Sequence, residues 1–395
     1  MAFDLDRARR DTPGCASVLH FNNAGASLMP QPVVAAVVGH VQAEARIGGY
    51  EAAAQAHPAV ERVYDAAATL LGCQRDEVAV VENATRAWDM AFYAVPLGPG
   101  DRILTAMNEY ASNYLAFLQV TRKTGASIEV IPNDEYGQIS VAALRQAIDD
   151  RVKLIALTHI PTNSGLVQPA AAVGAVAREA GVLYLLDACQ SVGQQPVDVE
   201  AIGCDMLSTT GRKYLRGPRG TGLLYVRRSV LERLEPPFVD LHAAEWVARD
   251  RYTIRPDARR FENWETNYAG KIGLGVAIDY ALSWGLEHIR QRITTLASTL
   301  RTRLTALPGV TVHDPGIERC GIVSFTVAGT EPAGIQHALA QQRINVTVSR
   351  LPSTRLDMEA RGLSSVVRAS VHYYNSEAEV ERFCTTLTAL CSHAR

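Results

Sequence analysis

Short runs of β-branched and aliphatic residues recur along the first two thirds of the chain, at 77–81, 102–105, 127–132, 153–159, 182–187, 206–210 and 222–226. Between several of them lie stretches with apolar residues at helical spacing and alanine-rich faces, such as 169–180. Strands alternating with helices predict an α/β fold with a mostly parallel central sheet covered on both sides. Beyond about residue 285 the texture changes. A long amphipathic stretch (287–307) precedes apolar runs at 309–313, 321–327, 344–348 and 366–372, and a last helical run starts near Ser376. That order suggests a smaller α+β C-terminal domain. No repeat, low-complexity segment or Pro/Gly/Ser linker intervenes, so the expected division is an N-terminal arm (1–20), a large α/β domain with a connecting region (21–284) and a small domain (285–395).

Composition narrows the function classes. Of 395 residues 47% are hydrophobic and 20% charged, which is ample for a sizeable core. The formal net charge is -2 and no lysine-rich run occurs, so nothing recruits nucleic acid or an anionic membrane by bulk electrostatics. No apolar run approaches the roughly 18 residues of a membrane span, and the charged N-terminus lacks the apolar stretch of a signal peptide. Seven cysteines (15, 73, 189, 204, 320, 384 and 391) show neither CxxC pairs nor metal-ligand spacing. That set predicts a reducing, cytoplasmic setting and no metal site.

Only four lysines occur, Lys123, Lys153, Lys213 and Lys271. Lys123 reads as an exposed helix end, Lys153 as a solvated strand edge, and Lys271 as the start of a helix rich in small residues. Lys213 differs: it follows the strand MLSTT within STTGRKYLRGPRGTGLLYV, which puts Ser208, Thr209, Thr210, Gly211 and Arg212 beside it at the strand's mouth. Open α/β sheets bind ligands at the carboxyl ends of their strands, and hydroxyl and guanidinium donors next to an amine suit a phosphorylated carbonyl compound. A basic surface loop with turn glycines fits the segment equally well. Upstream, the apolar strand VLYLLD ends at Asp187, either a helix cap or a carboxylate paired with a cofactor's protonated ring nitrogen. In VVENATRAWDMAF a strand runs through Asn83, Ala84 and Thr85 into a helix, whose N-terminus is an anion site or simply a capped helix end.

With these pieces together, the sequence resembles the class V aminotransferase family, which includes cysteine desulfurases, cysteine/cystine lyases, isopenicillin N epimerase and ergothioneine-type carbon–sulfur lyases. The likeness spans about residues 20 to 385 and is carried, in order, by FNNAGASLMP, ENAT, GDRILTAMNEYAS, DACQSVG, TTGRKYLRGPRGTGLLYV and VRASVHYYNSEAEVERF. It implies the aspartate-aminotransferase fold (fold type I), a homodimer with shared sites, and pyridoxal 5'-phosphate (PLP) held as a Schiff base on Lys213. By the same resemblance, Asp187 would pair with the pyridine nitrogen and Gln190 with the ring hydroxyl. Tyr110 falls where many relatives stack a histidine on the ring. Ala84, Thr85, Thr210 and Arg212 would hold the phosphate, with Asn267 reaching it from the partner subunit. Arg368 matches the arginine that grips the substrate carboxylate; taken without the motif around it, a salt bridge at a strand start would fit that residue equally well. Asn23 and Arg350 are further substrate-binding candidates. Arg212 departs from the family's usual histidine but keeps phosphate affinity, and NWETNYAG (263–270) is only loosely like the segment that meets a partner's phosphate.

The resemblance leaves several reactions open. Cysteine desulfurases take sulfur on a mobile-loop cysteine, and the stretch between Val346 and Arg368 contains none. The expected function is therefore a carbon–sulfur β-lyase acting on a cysteine derivative or its sulfoxide, giving pyruvate, ammonia and a sulfur product. EARIGGYEAAA (44–54) and GPRG also look like the corresponding stretches of ergothioneine-type lyases. The alternatives are transamination or epimerisation, desulfuration, and a non-catalytic PLP-binding scaffold, against which Lys213, Asp187 and Arg368 together argue. A Rossmann nucleotide enzyme is disfavoured because no GxGxxG follows a strand. Arg350, Arg355 and Arg361 either meet a second acidic substrate group or form a solvated loop.

Overall fold

The computed structural model describes residues 3–393. Its centre is a seven-stranded sheet of β1 (Val78–Val81), β2 (Arg102–Ala106), β3 (Ser127–Ile131), β4 (Val152–Thr158), β5 (Leu183–Asp187), β6 (Met206–Thr210) and β7 (Gly222–Val226), in the order β1-β7-β6-β5-β4-β2-β3. β2 through β6 pair in parallel, and β7 runs antiparallel between β1 and β6. All seven strands sit where the aliphatic runs predicted them. The runs are continuous rather than alternating because both faces are buried. Leu154, Ala156, Leu183 and Leu185 enter one core cluster, while their neighbours Ile155, Leu157, Tyr184 and Leu186 enter the other.

This topology gathers the site. β4, β5 and β6 end level with one another, with Thr158 paired to Asp187 and Asp187 to Ser208. Antiparallel β7 starts at that edge, since Gly222 pairs with both Thr210 and Val81. The segments leaving β1, β2, β4, β5 and β6 therefore emerge along one rim.

The C-terminal part is an antiparallel four-stranded sheet of β8 (Val310–Val312), β9 (Ile322–Val327), β10 (Thr347–Arg350) and β11 (Ser365–Ser370), in the order β8-β9-β11-β10. It packs with the helices Leu286–Thr305, Pro332–Gln341 and Glu377–His393. The N-terminal segment is stitched to this part: Leu19 and His20 pair with Ile344 and Asn345, and Asn22 bridges to Ser370. Two features had no clear trace in the hydrophobic pattern. One is the helical stretch Gln31–Ile47, Gly49–Gln55 and His57–Leu71; the other is an exposed hairpin, Ala244–Ala248 with Arg251–Ile254, which carries Trp246 into solvent. Among the described residues no helix is long and apolar enough to cross a membrane.

Candidate active site

At the rim lies a cavity of about 440 Å³ lined by Asn83, Ala84 and Thr85 after β1, Tyr110 after β2, Thr158, Ile160 and Thr162 at and after β4, Asp187, Cys189 and Gln190 at and after β5, and Thr210, Arg212 and Lys213 at and after β6. Each group has a local reason to be there. The helix Ala84–Phe92 is capped by Asn83, whose side-chain oxygen accepts from Arg86 N at 2.9 Å. Its first-turn N–H groups at Ala84 and Thr85 have no intrahelical acceptor and face the cavity. The loop can lie this close to β7 only because residue 222 is glycine: a Cβ there would sit 2.6 Å from the Asn83 carbonyl carbon and 3.0 Å from Ala84 N.

Asp187 is buried at the end of β5. One oxygen accepts from Cys189 N at 2.9 Å and the other from Asn113 Nδ2 at 3.0 Å, and no cation ion-pairs with it among the described residues. Gln190 donates Nε2 to Ala24 O at 3.1 Å, while its buried Oε1 has no partner. Enclosure lowers the Lys213 ammonium pKa, with the Arg212 and Arg368 charges adding to the effect and Asp187 opposing it. The amine is thereby drawn toward its neutral, nucleophilic form. Arg212 is half-buried and donates to Gly25 O.

Arg368 stands behind Thr162. Its Nη1 donates to Thr162 O at 2.8 Å and to Thr162 Oγ1 at 2.6 Å, and Nη2 lies 3.5 Å from Asn22 Oδ1. It is 6% exposed, its Nε has no partner, and no carboxylate ion-pairs with it among the described residues. The salt-bridge reading of this arginine is thus set aside. Burial pulls its pKa down to about 10. Arg368 does not itself line the cavity, but it holds Thr162, which does, and its charge acts on Lys213; a desolvated, unneutralised guanidinium so placed is a ready receptor for an anion.

Besides Arg368, which stands behind Thr162, three sequence candidates lie apart from the cavity in this chain. Asn23 is fully buried and consumed by structure: its amide donates to Ser370 O at 2.8 Å and His20 O at 3.2 Å, and its oxygen accepts from Tyr374 OH. Arg350 ends β10 with an exposed side chain that does not line the cavity. Asn267 caps the helix Tyr268–Trp284 by accepting from Gly270 N at 2.7 Å. The arginine-rich loop is also engaged elsewhere. Arg361 donates to Asp357 at 3.2 Å and to His313 O, and Arg355 pairs with Glu359 on the surface at 2.6 Å. Conversely, Glu109, Asn113, Thr162 and Cys189 were not singled out from the sequence. A polar pair within the helical run after β2 and a threonine just after β4 were the available signals.

The residues fit PLP: an amine whose charged form is disfavoured by enclosure, a buried carboxylate with no cation partner among the described residues, helix N–H groups beside Arg212 for a phosphate, and the unpaired buried oxygen of Gln190 for a ring hydroxyl. Comparison with known proteins agrees. The family model "Aminotransferase class-V" matches residues 19–383. A probable cysteine desulfurase of Methanothermobacter thermautotrophicus is 28% identical over 387 residues, covering 96% of each chain. The apo structure of a cysteine desulfurase from Thermococcus onnurineus superposes with a TM-score of 0.92 at 28% identity, over 100% of this chain and 99% of that one. A C-DES mutant with glycine covalently linked to its PLP cofactor gives 0.86 at 24% identity, over 96% of this chain and 98% of that one, a likeness of fold. The chain belongs to the class V aminotransferase family of PLP-dependent, fold-type I enzymes.

Proposed function

We propose that this enzyme is a carbon–sulfur β-lyase that cleaves a cysteine derivative to pyruvate, ammonia and a sulfur product. One observation carries the reading: the segment in which a desulfurase needs a mobile cysteine has none and is tied down. The helix Arg355–Ala360 buries Asp357, which accepts from Asn108 Nδ2 and Asn163 Nδ2, both at 2.7 Å, as well as from Arg361. Those asparagines lie on the segments leaving β2 and β4, so the small domain is latched onto the active-site rim.

When bound, PLP supplies an electron sink for the pair left at Cα. The side chains do the rest. Lys213 would hold the cofactor and then take the Cα proton on Nζ, and burial favours that role by lowering the ammonium's pKa. Asp187 keeps the ring nitrogen protonated. Ala84, Thr85, Thr210 and Arg212 hold the phosphate, and Arg368 with Thr162 takes the substrate carboxylate. Tyr110, 36% exposed at the cavity mouth, would lie beside the ring and supply a hydroxyl donor to the departing sulfur.

A second reading, desulfuration, is favoured by the names of the relatives and by Cys189 in the cavity. Enclosure and the neighbouring Asp187 carboxylate push that thiol well above its ordinary pKa, which disfavours the thiolate a sulfur acceptor needs. Supplying S-substituted cysteines and their sulfoxides to the PLP-loaded protein, without keto acid or acceptor thiol, tests the proposal: pyruvate with ammonia supports it, and a strict need for a keto acid points to transamination.

We also propose a homodimer and the division 1–20, 21–284 and 285–395. The exposed Trp246, Leu241 and Tyr50 are apolar side chains of the kind a second copy covers, and sedimentation would show a species of twice the chain mass.

A further inference from the structure

We propose that Glu109 is a positioning residue that acts through Asn113 on the Asp187 carboxylate and so sets how firmly the cofactor's ring nitrogen keeps its proton. This rests on Asp187 being the ring nitrogen's partner. Glu109 sits in the turn between β2 and the helix Ala111–Thr124 and is 4% exposed. Asn113 Nδ2 lies 2.9 Å from Glu109 Oε1 and 3.0 Å from Asp187 Oδ2. An amide nitrogen carries two protons, so one goes to each carboxylate and the two acids share a single rigid bridge.

The rest of Glu109's surroundings hold it without neutralising it. Tyr110 N donates to Oε1 at 2.9 Å, Thr158 donates its hydroxyl to the same oxygen from β4, and Thr105 donates to Oε2 at 3.0 Å from β2. Asp187 and Tyr184 face it from β5. Among the described residues no cation forms an ion pair with it. Burial is the largest influence on its acidity and Asp187 adds to it; against the hydrogen bonds of Thr158 and Asn113 the carboxyl still rises to about 7. Both forms can be accommodated, because the Thr105 hydroxyl that donates to an ionised Oε2 can accept from a protonated one.

The ionised form adds a second negative charge behind Asp187 and stabilises a proton on the ring nitrogen; the neutral form withdraws that support. Glu109 also fixes the main chain of Tyr110, so a purely structural role must be separable. The experiment uses PLP-loaded protein and reads the visible cofactor band as pH is raised through neutrality, together with the rate of PLP release. In Glu109→Gln, of the same shape without the charge, the spectroscopic midpoint should fall by about one pH unit and release should quicken. Asn113→Leu, which keeps Glu109 and breaks the bridge, should move the midpoint in the same direction, and the double variant should go no further than the larger single. It also carries the test should Gln at 109 fail to fold. A wild-type midpoint and release rate in both single variants, with Asp187→Asn altering both quantities, overturns the proposal alone. If Asp187→Asn also changes nothing, the Asp187 assignment falls and takes the proposal with it.

Discussion

Arg368→Met separates a substrate clamp from a structural arginine, because the two roles predict different pairings of stability and turnover. In the folded protein the guanidinium's pKa drops from 12.5 to about 10 through burial. At 1.36 kcal/mol per tenfold this is about 3 kcal/mol held against the charged form. A cation whose folded pKa is lowered is penalised in full below that pKa, hence at every pH under about 10, and the penalty fades as pH rises beyond it. Methionine removes the penalty and fills similar space, but it forfeits the two charge-assisted hydrogen bonds to Thr162, worth about 3 kcal/mol or more together. The two nearly cancel, so thermal unfolding should show the variant within about 1 to 2 kcal/mol of the wild type. In contrast, a substrate carboxylate would lose a paired, charge-assisted contact worth about 3 kcal/mol, or about 150-fold in kcat/KM. A variant that is destabilised by several kcal/mol yet turns over normally would refute the clamp.

Other expected outcomes follow from the same geometry. Lys213→Ala should abolish the visible cofactor band and turnover together; a retained band would move the cofactor's anchor elsewhere. Gly222→Ala forces a Cβ to within 2.6 Å of Asn83 backbone and should weaken PLP retention by about tenfold, read by dialysis, with the fold intact. Asp357→Ala leaves the buried Asn108 and Asn163 amides without their acceptor and should cost about 3 kcal/mol in denaturant unfolding; an unchanged midpoint would mean the segment is not latched. Burial pushes buried Glu262 upward, but the His242 ring at 3.3 Å, the Lys271 charge, Val80 N and the Tyr64 hydroxyl outweigh it and hold the acid at about 2. Its stabilising contribution is present above the unfolded value near 4.5 and is lost as pH falls toward 2. The stability difference between wild type and Glu262→Gln should accordingly shrink with acidification.

The sheet was legible because its strands, buried save at the edge strand Ser127–Ile131, leave seven aliphatic runs, and Lys213 and Asp187 were legible because each follows or ends such a run with a group that is costly to bury. What the pattern could not carry is pairing across the chain. Asn23 looked available for substrate, yet its amide and oxygen are spent on residues near 370. Arg355 and Arg361 share a loop, but a local Asp357 and a distant carbonyl draw Arg361 inward while Arg355 stays with Glu359 on the surface. Glu109 and Asn113 were hidden for the same reason: a polar pair at helical spacing reads as a solvated face until β4 and β5 close over it. Lys271 read as an unremarkable helix residue, and only the fold brings it 3.1 Å from the buried Glu262.

Elimination at Cβ without a sulfur-accepting cysteine can be read from the carbon skeleton left after one turnover. Excess PLP-loaded enzyme would be mixed with isotope-labelled cysteine and, separately, with its S-substituted sulfoxide, and the products followed by NMR. The account predicts labelled pyruvate with one ammonia per turnover and no sulfur left on the protein. Labelled alanine, with a persulfide on Cys189 or another cysteine, would contradict it and make this chain a desulfurase.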